Sequence, residues 1–255
     1  MDRAEYDKLD RLEDRMWWFA ATHANLLTLA RQFAKDSAPR SRVLDAGCGT
    51  GGLLAKIAAD LPQATVIGLD ADQQACERAA AKSARPVCRG SVNALPFADT
   101  SLSAIFSADV LCHRDVDERQ ALVQFHRCLM PGGILVLNLP AYSWMLSRHD
   151  AAVYNVRRYT RGRIAWLLRS AGFRPLYASY WNFVLFPLMV ITRKLLPGRG
   201  DGASDVKAYS APIEALCRAA TGFERALLQR GWRFPFGGSL IAIAGKSAIV
   251  EDAHA

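Results

Sequence analysis

No Cys-x-x-Cys pair occurs among the six cysteines (Cys48, Cys76, Cys88, Cys112, Cys128 and Cys217), which are scattered along the 255 residues. That scatter argues against a disulfide framework and against a zinc site, so no metal is expected. The opening residues are charged and lack the apolar core of a secretory signal, so a reducing cytoplasm is the expected compartment. The longest strongly apolar run, Phe183 to Ile191, is interrupted by Pro187 and is far shorter than the ~20 residues that span a bilayer. Nothing repeats internally, which excludes a solenoid, and no segment is low in complexity.

Acids are scarce in one region. From Arg148 to Arg174 there are seven arginines against a single acid, Asp150, whereas the first fifteen residues are mixed and slightly acidic. A formal charge of +8 suits nucleic acid, a membrane surface or an acidic substrate. No RNA- or DNA-binding signature accompanies the arginines, so no nucleic-acid partner is expected and most of them read as a solvated helix face.

Against these absences stands one dense feature, Val43-Leu44-Asp45-Ala46-Gly47-Cys48-Gly49-Thr50-Gly51-Gly52. It reads as an apolar strand, a carboxylate near its end and a glycine-rich turn, followed by a helical pattern at Leu53, Leu54, Ile57 and Ala58. Glycines belong where the backbone turns sharply and approaches a ligand. Asp70, eighteen residues past Gly52, ends a second apolar run that starts at Thr65. In a βαβ unit that spacing brings Asp70 beside the turn, where it can accept hydrogen bonds from two ribose hydroxyls. A dinucleotide would place its pyrophosphate at this helix N-terminus, and Asp45 would repel it. A ligand with an ammonium, a sulfonium and a ribose suits the charge better, which favours S-adenosylmethionine over NAD.

Asp45-x-Gly47-x-Gly49-x-Gly51 with Asp70 resembles the cofactor signature of class I S-adenosylmethionine-dependent methyltransferases. Gly90-Ser91-Val92-Asn93-Ala94-Leu95-Pro96-Phe97 resembles the segment after that family's third strand. Phe106 to His113 resembles the end of its fourth strand, and Arg127 to Leu137 its helix, Pro-Gly-Gly turn and fifth strand. The resemblance covers roughly residues 40 to 140 and says almost nothing about the methyl acceptor. It implies Asp45, Gly47, Cys48, Gly49 and Gly51 at the methionine end, Asp70 and Ala71 at the ribose, Ser91 and Val92 beside adenine, and Asp109 at the edge of the cofactor. Ser91 departs from the pattern. Many relatives carry an acid there, and a hydroxyl accepts the adenine amino group's bond more weakly than a carboxylate does. Trp17-Trp18-Phe19 and Arg157-Arg158-Tyr159 resemble a bacterial small-molecule subgroup, in which a histidine often stands where this chain has Asn155.

Alternating elements predict an α/β fold: a Rossmann-like, doubly wound and mainly parallel sheet with ligands at the carboxyl ends of its strands. Strands are predicted at 42–46, 65–70, 86–89, 102–107, 133–139 and near 174–181, and helices at 51–60, 72–83, 115–129 and 160–171. Ser239 to Gly245 reads as the seventh and last strand, which the resemblance makes antiparallel. Residues 4–35 read as helical, so an N-terminal helical cap (1–40) precedes a methyltransferase domain (41–255). The stretch 182–237 is longer than a connection needs and reads as a lid-like insertion, with helices over 183–196 and 213–230. Its first helix is too apolar for one-sided burial. Core burial is the expected outcome, ahead of a dimer interface or a lipid-facing lid carrying Arg193 and Lys194.

Methyl transfer is an in-line displacement that needs a base when the acceptor must lose a proton. His113, with Asp109 four residues earlier to orient it, is the first candidate, against the plainer reading of a surface or helix-capping histidine. His149 is the second candidate, and Asn155 cannot serve. The resemblance places Tyr142 and the Arg157-Arg158-Tyr159 run over the acceptor, and Trp18 is the cap ring expected at the pocket. Arginines hold carboxylate or phosphate bidentately, so Arg157 and Arg158 either anchor an acidic acceptor or pair internally. The expected function is S-adenosylmethionine-dependent methyl transfer to a small-molecule or lipid-like acceptor by a monomer or homodimer, with peripheral membrane contact as a further outcome. Two rivals stand beside it: cyclisation of the cofactor releasing 5′-methylthioadenosine, and a non-catalytic cofactor-binding partner subunit.

Overall fold

Seven apolar stretches become β1 (Arg42–Ala46), β2 (Thr65–Asp70), β3 (Val87–Arg89), β4 (Leu102–Ala108), β5 (Leu129–Pro140), β6 (Arg174–Trp181) and β7 (Ser239–Gly245). In the computed structural model of the protein, which describes residues 3–34, 41–195 and 209–247, they form one sheet in the order β3-β2-β1-β4-β5-β7-β6. The pairings from β3 to β5 are parallel, and β7 enters between β5 and β6 antiparallel to both. Every residue of β7 is buried, which is why it reads as an unbroken apolar run and not as an alternating one.

The helices α3 (Gly52–Asp60), α4 (Gln73–Ser83), α5 (Glu118–Cys128) and α7 (Arg161–Ser170) follow β1, β2, β4 and β5. Asp72 and Asp117 start α4 and α5 by accepting hydrogen bonds from two backbone N–H groups each. Two short elements between β5 and α7 carry no clear periodicity: a 3₁₀ turn at Ser143–Met145 and α6 (Arg148–Ala152).

The helix expected over 4–35 is divided into α1 (Arg3–Leu12) and α2 (Trp17–Phe33). The break falls where Glu13 turns inward, accepting from Thr50 Oγ1 at 2.7 Å and pairing with Lys82. Trp17 N–H, which opens α2, donates to Glu214 Oε2 at 2.8 Å on α9 (Ala211–Gln229). The N-terminal helices are thus fastened to the glycine loop and α4 on one side and to α9 on the other.

In the insertion the helix expected over 183–196 shrinks to α8 (Phe186–Val190) and a π-type turn, Ile191–Leu195. Pro187 sits in the first turn of α8 and sets its start. The expectation of core burial is corrected here. Phe186 is buried, but Val184, Leu188 and Ile191 are 47%, 60% and 41% exposed. Residues 196–208, which include most of the expected loop from Pro197 to Pro212, lie outside the described residues. Among the described residues no helix is long and apolar enough to cross a membrane.

Candidate active site

The carboxyl ends of the parallel strands bring together Asp45 of β1, Asp70 of β2, Asp109 after β4 and Asn138 of β5. Gly47 N and Cys48 N both donate to Leu69 O, at 2.7 and 3.0 Å, tying the loop after β1 to β2. A Cβ at Gly47 would lie 2.2 Å from Val110 Cγ2, and one at Gly51, where φ is +93°, would lie 2.6 Å from Ala79 Cα. Only glycine fits between these neighbours. A Cβ at Gly49 would meet nothing within 4 Å, so this is the open side of the loop.

Asp45 is 1% exposed, and its Oδ2 has no hydrogen-bond partner. Burial, then Asp70 and Glu13 nearby, push its carboxyl up to about 8, opposed by the Leu54 backbone N–H. An orphaned carboxylate oxygen beside an open glycine turn suits a cationic ligand. Asp70 is fixed by Gly49 N–H at 2.9 Å and Asp72 N–H at 3.0 Å, one on each oxygen, and both oxygens keep lone pairs for hydroxyls. Burial raises its pKa. Ala71 is exposed beside it, with its carbonyl accepting from Arg89 Nε at 3.2 Å. Ser91 is exposed, its hydroxyl accepting from Asn93 N–H at 3.2 Å, and Val92 beyond it is buried. The Cys48 thiol is buried and its pKa is driven up by that burial, then by Asp45 and Asp70, so Cys48 serves the loop through its backbone. These groups fit the ammonium, ribose and adenine of S-adenosylmethionine.

Asp109 holds a left-handed backbone with φ +55°, its N–H donating to Asn138 O at 2.9 Å. Its Oδ2 accepts from Asn138 Nδ2 at 2.9 Å. Burial pushes the carboxyl up to about 7, against the Asn138 bond and Arg158, with Asp150 adding to the rise. Asn138 Oδ1 accepts from Trp181 Nε1 at 2.8 Å, and Trp18 stacks on Trp181 with ring centroids 6.3 Å apart. Asn138 and Trp181 were not anticipated. A lone amide in the apolar strand Ile134-Leu135-Val136-Leu137-Asn138 is a signal for the first, but nothing local marks the second.

The other anticipated groups are placed differently. Asp109 bonds Asn138 and does not orient His113, which is half-buried with its carbonyl accepting from Arg157. Burial pushes the His113 imidazole down to about 4, Arg157 adding to the fall and Asp115 opposing it. Arg157 also donates to the carbonyls of Leu111 and Val116. Arg158 is 3% exposed, forks onto both oxygens of Asp150 at 2.9 Å and donates to Ala141 O at 3.0 Å. Tyr159 is fully buried, its hydroxyl at 2.8 Å from Leu111 O and 2.7 Å from Glu118 Oε2. The substrate role expected of Arg157, Arg158 and Tyr159 is therefore revised. Their polar atoms brace the loops after β4 and β5 from within. His149 stands on α6 beside Asp150.

Tyr142 lies among rings, stacked on Tyr180 at 4.9 Å and on Trp144 at 5.8 Å, with Phe186 at 5.8 Å. Phe236 closes on Phe186 at 5.9 Å. Among the described residues no cluster of His, Cys, Asp or Glu is grouped to hold a metal ion.

Residues 43–133 match the family described as "Methyltransferase domain". Malonyl-[acyl-carrier protein] O-methyltransferase of Dechloromonas aromatica is 36% identical over 128 residues, 49% of this chain and 46% of that protein. The matched stretch covers about half or less of the first curated relatives. Among solved structures, geranyl diphosphate methyltransferase with GPP and sinefungin superposes with a TM-score of 0.61 at 14% identity, covering 89% of this chain and 78% of that one. The [4+2]-cyclase SpnF superposes with a TM-score of 0.57 at 22% identity, covering 88% and 82%. Their likeness is one of fold. The domain match lies over the glycine loop, Asp45, Asp70 and Asp109, so residues 43–133 carry a methyltransferase domain of the class I S-adenosylmethionine-dependent kind.

Proposed function

We propose that the protein transfers a methyl group from S-adenosylmethionine to a small, largely apolar acceptor, and that Asp109 takes the proton the acceptor loses. The observation that carries this reading is Asp109, a carboxyl lifted by burial to about 7 at the end of β4. A general base works best with a pKa near the operating pH, which favours Asp109 over His113 at about 4. The bound cofactor supplies an electrophilic methyl on sulfur. Asp45 holds its ammonium, Asp70 its ribose, and Ser91 with Val92 its adenine, while Trp18 and Tyr142 orient the acceptor and keep water out.

The face around Tyr142 supports a lipid-like acceptor. Trp144, Leu188 and Ile191 are exposed there, and Lys194 is fastened to it by a bond from Nζ to Leu146 O at 3.1 Å. An apolar face with Arg193 and Lys194 at its edge suits contact with an anionic membrane surface. We read 1–40 as a cap, 182–237 as the acceptor-side insertion and the cytoplasm as the compartment; six unpaired thiols favour a reducing one.

Incubation with methyl-labelled cofactor and fractionated lipid and metabolite extracts, followed by mass spectrometry, tests the proposal. S-adenosylhomocysteine and a labelled product are expected, with Asp109→Asn lowering turnover about 100-fold or more and leaving cofactor affinity intact. Release of 5′-methylthioadenosine would replace methylation with cyclisation. Tight cofactor binding without any turnover would leave a non-catalytic partner subunit.

A further inference from the structure

We infer that Asn138 and Trp181, with Trp18 of the cap stacked outside them, are positioning residues that present Asp109 to the acceptor in a single orientation. This rests on the reading of Asp109 as the proton acceptor.

The argument begins with polarity. An indole N–H can only donate, so the Asn138 amide must turn its oxygen to Trp181 and its NH₂ to Asp109. Asn138 and Trp181 are both fully buried, so no water competes for the bond between them. Asp109 is fixed twice by the same residue, through its backbone N–H and through Oδ2. Oδ1 makes no hydrogen bond among the described residues, which leaves it to receive a proton. The φ of +55° at Asp109 costs about 1 kcal/mol of strain, which is set against two bonds, one donated to Asn138 O and one accepted from Asn138 Nδ2.

The relay also crosses the sheet. Trp181 stands on β6 and Asn138 on β5, with β7 between them, and the β7 residue in register with Trp181 is the small Ser239. Trp18 then connects this line to α2, so the packing of α2 bears on the ring that fixes the Asn138 amide. The charged groups facing Asp109 from other elements are Arg158 and Asp150, a closed ion pair, and the thiol of Cys112 bonds its carbonyl at 3.1 Å.

An Asn NH₂ donated to a carboxylate favours its ionised form, so losing that donor raises the pKa. Asn138→Asp is isosteric. It keeps an acceptor for Trp181 but sets an oxygen against Asp109. Trp181→Phe keeps an aromatic ring but removes the indole N–H, which frees the amide to flip. The test follows Asp109 by ¹³C-carboxyl NMR, assigned with Asp109→Asn, alongside the pH profile of turnover and calorimetric cofactor affinity. The expected result is an upward shift of about two pH units in Asn138→Asp and about one in Trp181→Phe, with cofactor affinity unchanged. A smaller shift of the same sign is expected in Trp18→Ala. Asp109 titrating as in wild type in both Asn138→Asp and Trp181→Phe would overturn the inference. If Asp109→Asn keeps full turnover while the NMR shifts appear, the base assignment fails and the positioning network stands.

Discussion

Between β1 and β4 the groups gathered at the strand ends are backbone amides and carboxylates set within residues 45–109, whereas around them stand Trp18, Asn138, Tyr142, Trp181 and Phe186, mostly rings. In the first region the acids keep oxygens available: Asp45 has one without a partner, and Asp70 keeps lone pairs. In the second, charge turns inward. Seven arginines lie between positions 148 and 174, yet Arg157 and Arg158 are engaged with carbonyls and Asp150, and the face around Tyr142 is made of rings. A cofactor with fixed charges needs fixed counter-charges. The apolar acceptor proposed above would need a shaped wall, and Arg157 and Arg158 hold the loops after β4 and β5 in place.

The comparison is broken most forcefully at Arg158. Arg158→Met leaves the Asp150 carboxylate buried at 2% exposure without its partner, and breaking such a pair costs about 3–5 kcal/mol. Chemical denaturation should show that loss, while cofactor affinity of the folded protein stays within about twofold. Although burial alone would raise it, bonding to Arg158 holds the Asp150 pKa below the ordinary carboxylate value. The pair's stabilisation is therefore present above that ordinary value and lost as pH falls through the depressed one. Wild-type stability in Arg158→Met would return the arginine to the acceptor.

On the cofactor side the largest effect is expected at Asp70. Asp70→Ala removes the acceptor of Gly49 N–H as well as the ribose contacts. Calorimetry should show a loss of about 100-fold, roughly 3 kcal/mol, with little change in melting temperature. Unchanged affinity would displace the cofactor from this loop.

The strands of the first region were legible almost to the residue, because an apolar run bounded by turns is a local signal and the glycine loop, Asp45 and Asp70 lie within 26 residues of one another. The antiparallel last strand also emerged as expected. What could not be read depends on partners distant in the chain. Glu13 breaks the N-terminal helix because Thr50 and Lys82 await its carboxylate. Trp181 gains its role from an amide 43 positions away. Apolar composition alone could not show that Val184, Leu188 and Ile191 lie outside the core, since the same residues suit an interior or an acceptor face.

A smaller effect sharpens the charge contrast. Free Asp45, with its pKa pushed up to about 8, carries a proton below that pH, and a cation beside it favours ionisation. Cofactor binding should release close to one proton at pH 6.5, read as a dependence of binding enthalpy on buffer ionisation heat. Affinity should rise by up to about tenfold per pH unit toward 8 and then level. Asp45→Asn should flatten this dependence. A pH-independent affinity in the wild type would remove Asp45 from the cation.

The smallest change concerns Ser91, where charge is missing from the charged half. Its exposed hydroxyl already accepts from Asn93 N–H, which leaves one lone pair of a neutral oxygen for the adenine amino group. Ser91→Asp can keep that turn with one carboxylate oxygen and offer the other to adenine. Charge-assisted bonds are about twice as strong as neutral ones, so affinity for S-adenosylhomocysteine should improve about threefold, near 0.7 kcal/mol. The inosine analogue, which lacks the amino group, should gain nothing. Equal gains for both ligands would assign the effect to general electrostatics, and a loss for both would move adenine away from Ser91.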